Sequence, residues 1–127
     1  MSLIAPGTPF SAERTRELLA SYNRHGCVHC GPLLNAEEVA ALRAAVDRVF
    51  LEPQAKTTNT FYGSYIAVRM FEWDRLFRDL LVKEPMISLM ESLLGSNCHL
   101  IANNIVRNGP GEAISTYHVD DHLWFPL

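Results

Sequence analysis

The chain has 127 residues, 48% of them hydrophobic and 20% charged, with a formal net charge of −3. That length suits one modest domain with a core of its own, and the balance excludes an intrinsically disordered chain. The slight acidic excess leaves no electrostatic footprint for nucleic acid or an anionic membrane surface.

Met1 to Phe10 shows neither a basic n-region nor a long apolar h-region, so no secretory signal is read. No apolar run is long enough to span a bilayer. Cys27, Cys30 and Cys98 form an odd, sparse set, which argues against a disulfide framework. The expectation is a soluble cytoplasmic protein in a reducing compartment, without a membrane partner.

Ser11 is placed to cap a helix over Glu13 to His25 that turns Leu18, Leu19 and Tyr22 inward, and Gly26 suits the left-handed position that ends it. Cys27 to Cys30 reads as a short buried strand stopped by Gly31-Pro32. Asn35-Ala36-Glu37-Glu38 comes close to a capping box. The helix behind it runs to about Phe50, with Val39, Leu42, Val46, Val49 and Phe50 on one face.

Glu52 to Asn59 reads as a loop, and Phe61 to Met70 as a strand or pocket-lining segment. Asp74 is expected to cap a short helix through Val82 that buries Leu76, Phe77, Leu80 and Leu81. Pro85 suits the first turn of the next helix, which carries Ile87, Leu89, Met90, Leu93 and Leu94 and stops at Gly95. Cys98 to Val106 reads as a strand, Asn108-Gly109-Pro110-Gly111 as a turn and Ile114 to Asp120 as the next strand. Helices come first and strands follow, so the fold class expected is α+β.

The chemistry concentrates in Tyr117-His118-Val119-Asp120-Asp121-His122-Leu123-Trp124-Phe125-Pro126. On a strand, residues two apart project from the same face, so His118 and Asp120 can converge on one metal ion. They would supply two of the three ligands of a 2-His-1-carboxylate facial triad, the non-haem Fe(II) arrangement. The competing account is a surface strand with a His and an acid by chance. The preceding Gly-Pro-Gly turn and the aromatics Tyr117, Trp124 and Phe125 favour the metal.

His118 and His122 also have the four-residue spacing of an H-E-x-x-H zinc helix. Val119 stands where the next residue would be the general-base Glu, and the flanking β-branched residues and Pro126 disfavour a helix. If the segment stays extended, His122 shares the face of His118 and Asp120, with a role toward substrate or behind the ligands preferred over a third ligand.

Cys27-Val28-His29-Cys30 is a C-x-x-C without a second pair, so a zinc site would need Cys98-His99 to fold back. Arg69 and Arg107 offer forked guanidiniums for a carboxylate, although both read first as surface arginines. Asn103 and Asn104 either line a pocket or simply belong to their strand.

Taken together, Arg24-His25-Gly26, Gly31-Pro32-Leu33-Leu34, the helix from Glu37 to Phe50 and Leu93-Leu94-Gly95 before the strand Leu100 to Arg107 resemble the phytanoyl-CoA dioxygenase family. The most specific part of the resemblance is His118-Val119-Asp120-Asp121-His122 followed by Trp124-Phe125-Pro126. The resemblance implies a double-stranded β-helix, or jelly roll, with N-terminal helices packed outside it. It implies Fe(II) held by His118 and Asp120, and 2-oxoglutarate and O2 as cosubstrates. Trp124 would border the cosubstrate pocket, where Asn104 and His122 are further candidates. The substrate would be a small or acyl-linked organic molecule.

Halogenating relatives replace the iron-binding acid with a small residue, so Asp120 favours hydroxylation. The family's second iron-binding His and its 2-oxoglutarate-gripping Arg lie on later strands. The expectation is therefore that residues 1–127 are the N-terminal part of a single dioxygenase domain, with an incomplete jelly roll that is inactive alone. The rival from another class is a non-catalytic binding or dimerisation module that keeps the helices, and a zinc protein stands third.

Overall fold

A computed structural model describes residues 3–53, 57–58 and 65–111. Its first helix, α1 (Ala12–His25), begins where the Ser11 hydroxyl accepts from the Arg14 N–H at 3.1 Å. It ends where Gly26, at φ 71°, donates its N–H to the Tyr22 carbonyl. Both ends follow the sequence reading. Leu18 is buried as expected, whereas Tyr22 is exposed. Cys27 to Cys30 is not a strand and not a buried segment: among the described residues no strand pairs with it, Cys27 is exposed and Cys30 is half-buried.

The second helix, α2 (Ala36–Val49), carries a complete capping box: Glu38 N–H donates to the Asn35 side chain at 2.9 Å, and Asn35 N–H donates to Glu38 Oε2 at 3.0 Å. Two orphan donors of the first turn are thereby satisfied. The buried stripe is Glu38, Leu42, Ala45 and Val49, with Phe50 behind it. This differs from the expected face, since Val39 is 40% exposed and Val46 only half-buried. The helix is turned so that Glu38 points inward to partners elsewhere in the chain, and Val39 moves outward with that rotation.

Three short antiparallel strands form a sheet in the order β1 (Thr57–Thr58), β2 (Tyr65–Ala67), β3 (Ile105–Arg107). The register sets Thr57 opposite Ile66, and Ala67 opposite Ile105. Strand β1 therefore lies inside the stretch expected to be loop. Strand β3 begins much later than the expected Cys98–Val106 strand, because the residues before it direct their polar groups at another element.

Between β2 and β3 come α3 (Met70–Trp73), α4 (Arg75–Leu81) and α5 (Met86–Leu94). The α+β class holds, but helices and strands interleave rather than follow one another. The single-turn helix α3 has no counterpart in the sequence reading. Asp74 caps α4 by accepting from Leu76 N–H at 2.9 Å, and Pro85 takes the N-cap position of α5. In α4 Phe77 is buried and Leu81 half-buried; in α5 Leu89 is buried, while Leu94 is exposed. The expected strand Ile114 to Asp120 lies outside the described residues.

One core cluster joins the N-terminal arm, α2, β2, α3 and α4: Ile4, Leu42, Ala45, Val49, Phe50, Ala67, Met70 and Phe77, with Leu34, Val46, Trp73, Leu76, Leu80 and Ile105 packed against it. Met70 is fully buried, so truncating it to alanine costs about 2–5 kcal/mol. Among the described residues no helix is long and apolar enough to cross a membrane.

Candidate functional site

Four of the expected site residues, His118, Asp120, His122 and Trp124, lie outside the described residues. The described part does show what the strand ahead of them is fastened to. Arg69, between β2 and α3, sits in the left-handed region at φ 52° and ψ 52°. It is the one non-glycine residue with positive φ among the described residues. Such a conformation costs about 1–2 kcal/mol and persists only where its surroundings hold it.

Here two consecutive asparagines do the holding. Asn104 Oδ1 accepts from Arg69 N–H at 3.2 Å, the Asn103 carbonyl accepts from Met70 N–H at 2.8 Å, and Asn103 Oδ1 accepts from Phe71 N–H at 2.9 Å. Three successive N–H groups, which open α3 without a side-chain cap of its own, are answered from the run that leads into β3. The Trp73 indole N–H donates to the Val68 carbonyl at 3.3 Å and closes the corner from the other side. Asn104, a candidate pocket residue, thus has its acceptor oxygen on the backbone of Arg69.

Neither candidate arginine is a free clamp. Arg69 lies 3.4 Å from Glu72. Arg107, on β3, pairs with Asp47 of α2 at 2.8 Å and stacks over the Phe50 ring at 5.5 Å. Both are surface arginines, with side chains 68% and 52% exposed. Arg107 also borders an open groove of about 420 Å³ walled by Leu34, Val39, Leu42, Arg43 and Val46. A second hollow, about 380 Å³, lies between α2 and Trp73-Asp74, where Arg48 pairs with Asp74 at 2.8 Å. The Leu76 N–H above all, with help from Arg48, holds the Asp74 carboxyl below its ordinary range against the opposing effect of burial.

The zinc alternative finds no support in the described residues. Among them no three His, Cys, Asp or Glu side chains come together in a way that could hold a metal. Cys98 and His99 therefore do not complete a four-ligand site with Cys27 and Cys30.

A buried charge cluster went unread in the sequence. Lys83, between α4 and α5, donates to Glu38 Oε1 at 2.9 Å and to the Ala5 carbonyl at 2.6 Å. Ala5 N–H donates to the same carboxylate oxygen at 2.9 Å. The Lys83 hydrogen bond first, and then the Asn35 and Ala5 N–H groups, lower the Glu38 pKa to about 2 against the opposing effect of burial. The capping-box spacing reveals Glu38 as a helix residue, but nothing local points to a partner 45 positions away.

A helical layer packed against a small antiparallel sheet, with β3 followed in sequence by a His-x-Asp pair, defines an α+β protein. The model of the phytanoyl-CoA dioxygenase family matches residues 22–126, and the chain belongs to that family. No curated protein and no solved structure matches it. Membership implies oxygenase chemistry of the Fe(II)- and 2-oxoglutarate-dependent type in general.

Proposed function

We propose that the chain is the N-terminal part of a single Fe(II)/2-oxoglutarate-dependent dioxygenase domain that hydroxylates a small or acyl-linked organic substrate. The supporting observation is that the family match runs on to residue 126 and so includes His118, Asp120 and Trp124. An imidazole nitrogen and a carboxylate oxygen are the donor set that suits Fe(II) in a facial triad.

When bound, Fe(II) with 2-oxoglutarate and O2 would supply the oxidising power to place one oxygen atom in a C–H bond and the other in succinate, with release of CO2. The chain's own residues hold and orient. The neutral imidazole of His118 and the carboxylate of Asp120 bind the metal, and a carboxylate there, rather than a small residue, favours hydroxylation over halogenation. Trp124 borders the cosubstrate and keeps water from it, as a dry, shaped cavity requires. His122 faces substrate or supports the ligands from behind.

In this reading β2 and β3 belong to the first strands of a jelly roll, with α1 and α2 outside it. The second iron-binding histidine and the arginine for the distal carboxylate of 2-oxoglutarate would come from sequence other than residues 1–127. The 127-residue chain then binds Fe(II) weakly and does not turn over.

Anaerobic addition of Fe(II) and 2-oxoglutarate to a form that carries the later strands should give the weak visible charge-transfer band of such complexes. Asp120→Ala should abolish hydroxylation. Hydroxylation retained in that variant overturns the ligand assignment. Tight one-to-one Fe(II) binding by a monomeric 127-residue chain would contradict an incomplete site.

A further inference from the structure

Residues 3–7 run over the surface ahead of α1, yet they are gripped as a bound peptide would be. Ile4 is 3% exposed and belongs to the core cluster. Ala5 uses both backbone groups, with its N–H on Glu38 Oε1 and its carbonyl under Lys83 Nζ. The Pro6 carbonyl accepts from Glu84 N–H at 2.7 Å. Gly7 has φ 75°, and a β-carbon there would collide with the Glu84 carbonyl oxygen, so glycine is demanded twice over.

The recognition therefore has an apolar anchor, three main-chain hydrogen bonds and a position that admits only glycine. Its walls come from the first turn of α2 and from Lys83-Glu84. The walls lie inside the family-matched residues 22–126 and the arm lies outside them. Between Gly7 and α1 the chain is exposed at Thr8 and Pro9, so the arm has a short surface tether and could leave without unwinding a helix.

We infer that the cleft between α2 and the α4–α5 junction is a receptor for an Ile-Ala-Pro-Gly segment, filled in cis by the chain's own arm and able to take the same segment of a second copy. Recognition of a peptide through main-chain hydrogen bonds and one side-chain pocket is an established binding mode. The buried ion pair presents a fixed acceptor and a fixed donor to the two sides of one residue, so the site reads peptide backbone rather than side chain at Ala5.

A short tether gives the resident arm an effective concentration of roughly millimolar, so a free peptide competes poorly until the arm is weakened. The probe is a labelled, end-blocked peptide spanning Leu3 to Thr8, read by fluorescence anisotropy. Gly7→Ala in the full chain weakens only the arm. A tenfold loss of arm docking should tighten the apparent peptide affinity by up to about tenfold over the unaltered chain. Adding Lys83→Met to that variant should remove the gain, as should N-methylation of Ala5 in the peptide.

If the Gly7→Ala chain keeps its far-ultraviolet dichroism and gains no peptide binding, the proposal is overturned. Amide exchange on the unaltered chain keeps the question open to decision should that variant fail to fold. The Ala5 N–H should exchange through a local opening, at least about tenfold faster than the Leu89 N–H in α5. Equal protection at both would show that the arm is not separable, and the proposal would fail.

Discussion

The layer built from the arm, α2 and the Lys83-Glu84 junction and the run from Cys98 to Arg107 are fixed in opposite ways. In the first, an apolar anchor goes into the core and charged groups are buried with it: Ile4 sits beside a Glu38–Lys83 pair whose side chains are 4% and 8% exposed. In the second, Leu100 and Ile101 stay exposed, and what locates the run is a set of hydrogen bonds from Asn103 and Asn104 to the corner at Arg69. A buried anchor and charge pair dominate in the first region; in the second the asparagine hydrogen bonds act ahead of a strand held by pairing with β2 and by Ile105 against the core. The two should therefore answer differently to mutation.

The largest difference should come from Lys83→Met. That change removes the partner of a buried carboxylate that also caps α2 and holds Ala5. Leaving such a charge unpaired costs about 3–5 kcal/mol. Urea or thermal unfolding reads it directly. Adding Glu38→Gln should recover part of the loss, since the penalty lies in the stranded charge. A loss under about 1 kcal/mol would mean that the arm layer relaxes around the charge, and the contrast with the asparagine corner would disappear.

Acid should probe the same cluster. Glu38 has its pKa lowered from 4.5 to about 2 in the folded chain. A depressed folded pKa contributes stability that is fully present above the unfolded value and is lost as pH falls toward the folded one. The ion pair should therefore support the fold undiminished above about pH 4.5 and lose its contribution progressively from there to about pH 2. The expected result is that the melting temperature of the unaltered chain converges on that of Glu38→Gln as pH drops through this window. Parallel curves would show that the carboxylate is not better held folded than unfolded.

On the other side of the comparison, Asn103→Leu removes the acceptor for the half-buried Phe71 N–H. An orphaned donor of that kind costs about 1–3 kcal/mol, so the loss should fall below that of Lys83→Met. Asn103→Asp keeps an acceptor in place and should restore most of the stability. If leucine and aspartate behave alike, the side chain matters for shape and not for the N–H it satisfies.

The same division explains what could be read from the residues alone. Ser11, Gly26, Asn35 with Glu38, and Asp74 act within four positions of themselves, and each marks a helix end where its chemistry predicts. Helical period gives a face but not its rotation: Val39 lies outward because Glu38 is turned into the core of α2's packing, and Tyr22 of α1 is exposed although it shares a helical face with buried Leu18. The Cys98–Val106 strand was overextended because its apolar, β-branched composition says nothing of two asparagines answering N–H groups more than 30 positions earlier. Of the candidate site, the described residues contain Asn104 and the two arginines. Asn104 proves to be a backbone clasp, a role invisible without its partner.

The smallest expected effect tests whether that clasp or the residue it holds is the cause. Arg69 keeps a left-handed conformation that disfavours a β-carbon by about 1–2 kcal/mol. Glycine there escapes the clash but loses about 0.5–1 kcal/mol in extra chain freedom when unfolded. Its guanidinium contact with Glu72, 3.4 Å long and exposed, adds little. Arg69→Gly should therefore be neutral or stabilising by up to about 1 kcal/mol, the opposite sign from Asn103→Leu, if the asparagines hold the corner against strain. A loss as large as that of Asn103→Leu would place the holding force in the arginine itself. The run before β3 would then be anchored by a surface side chain rather than by the three N–H groups at the start of α3.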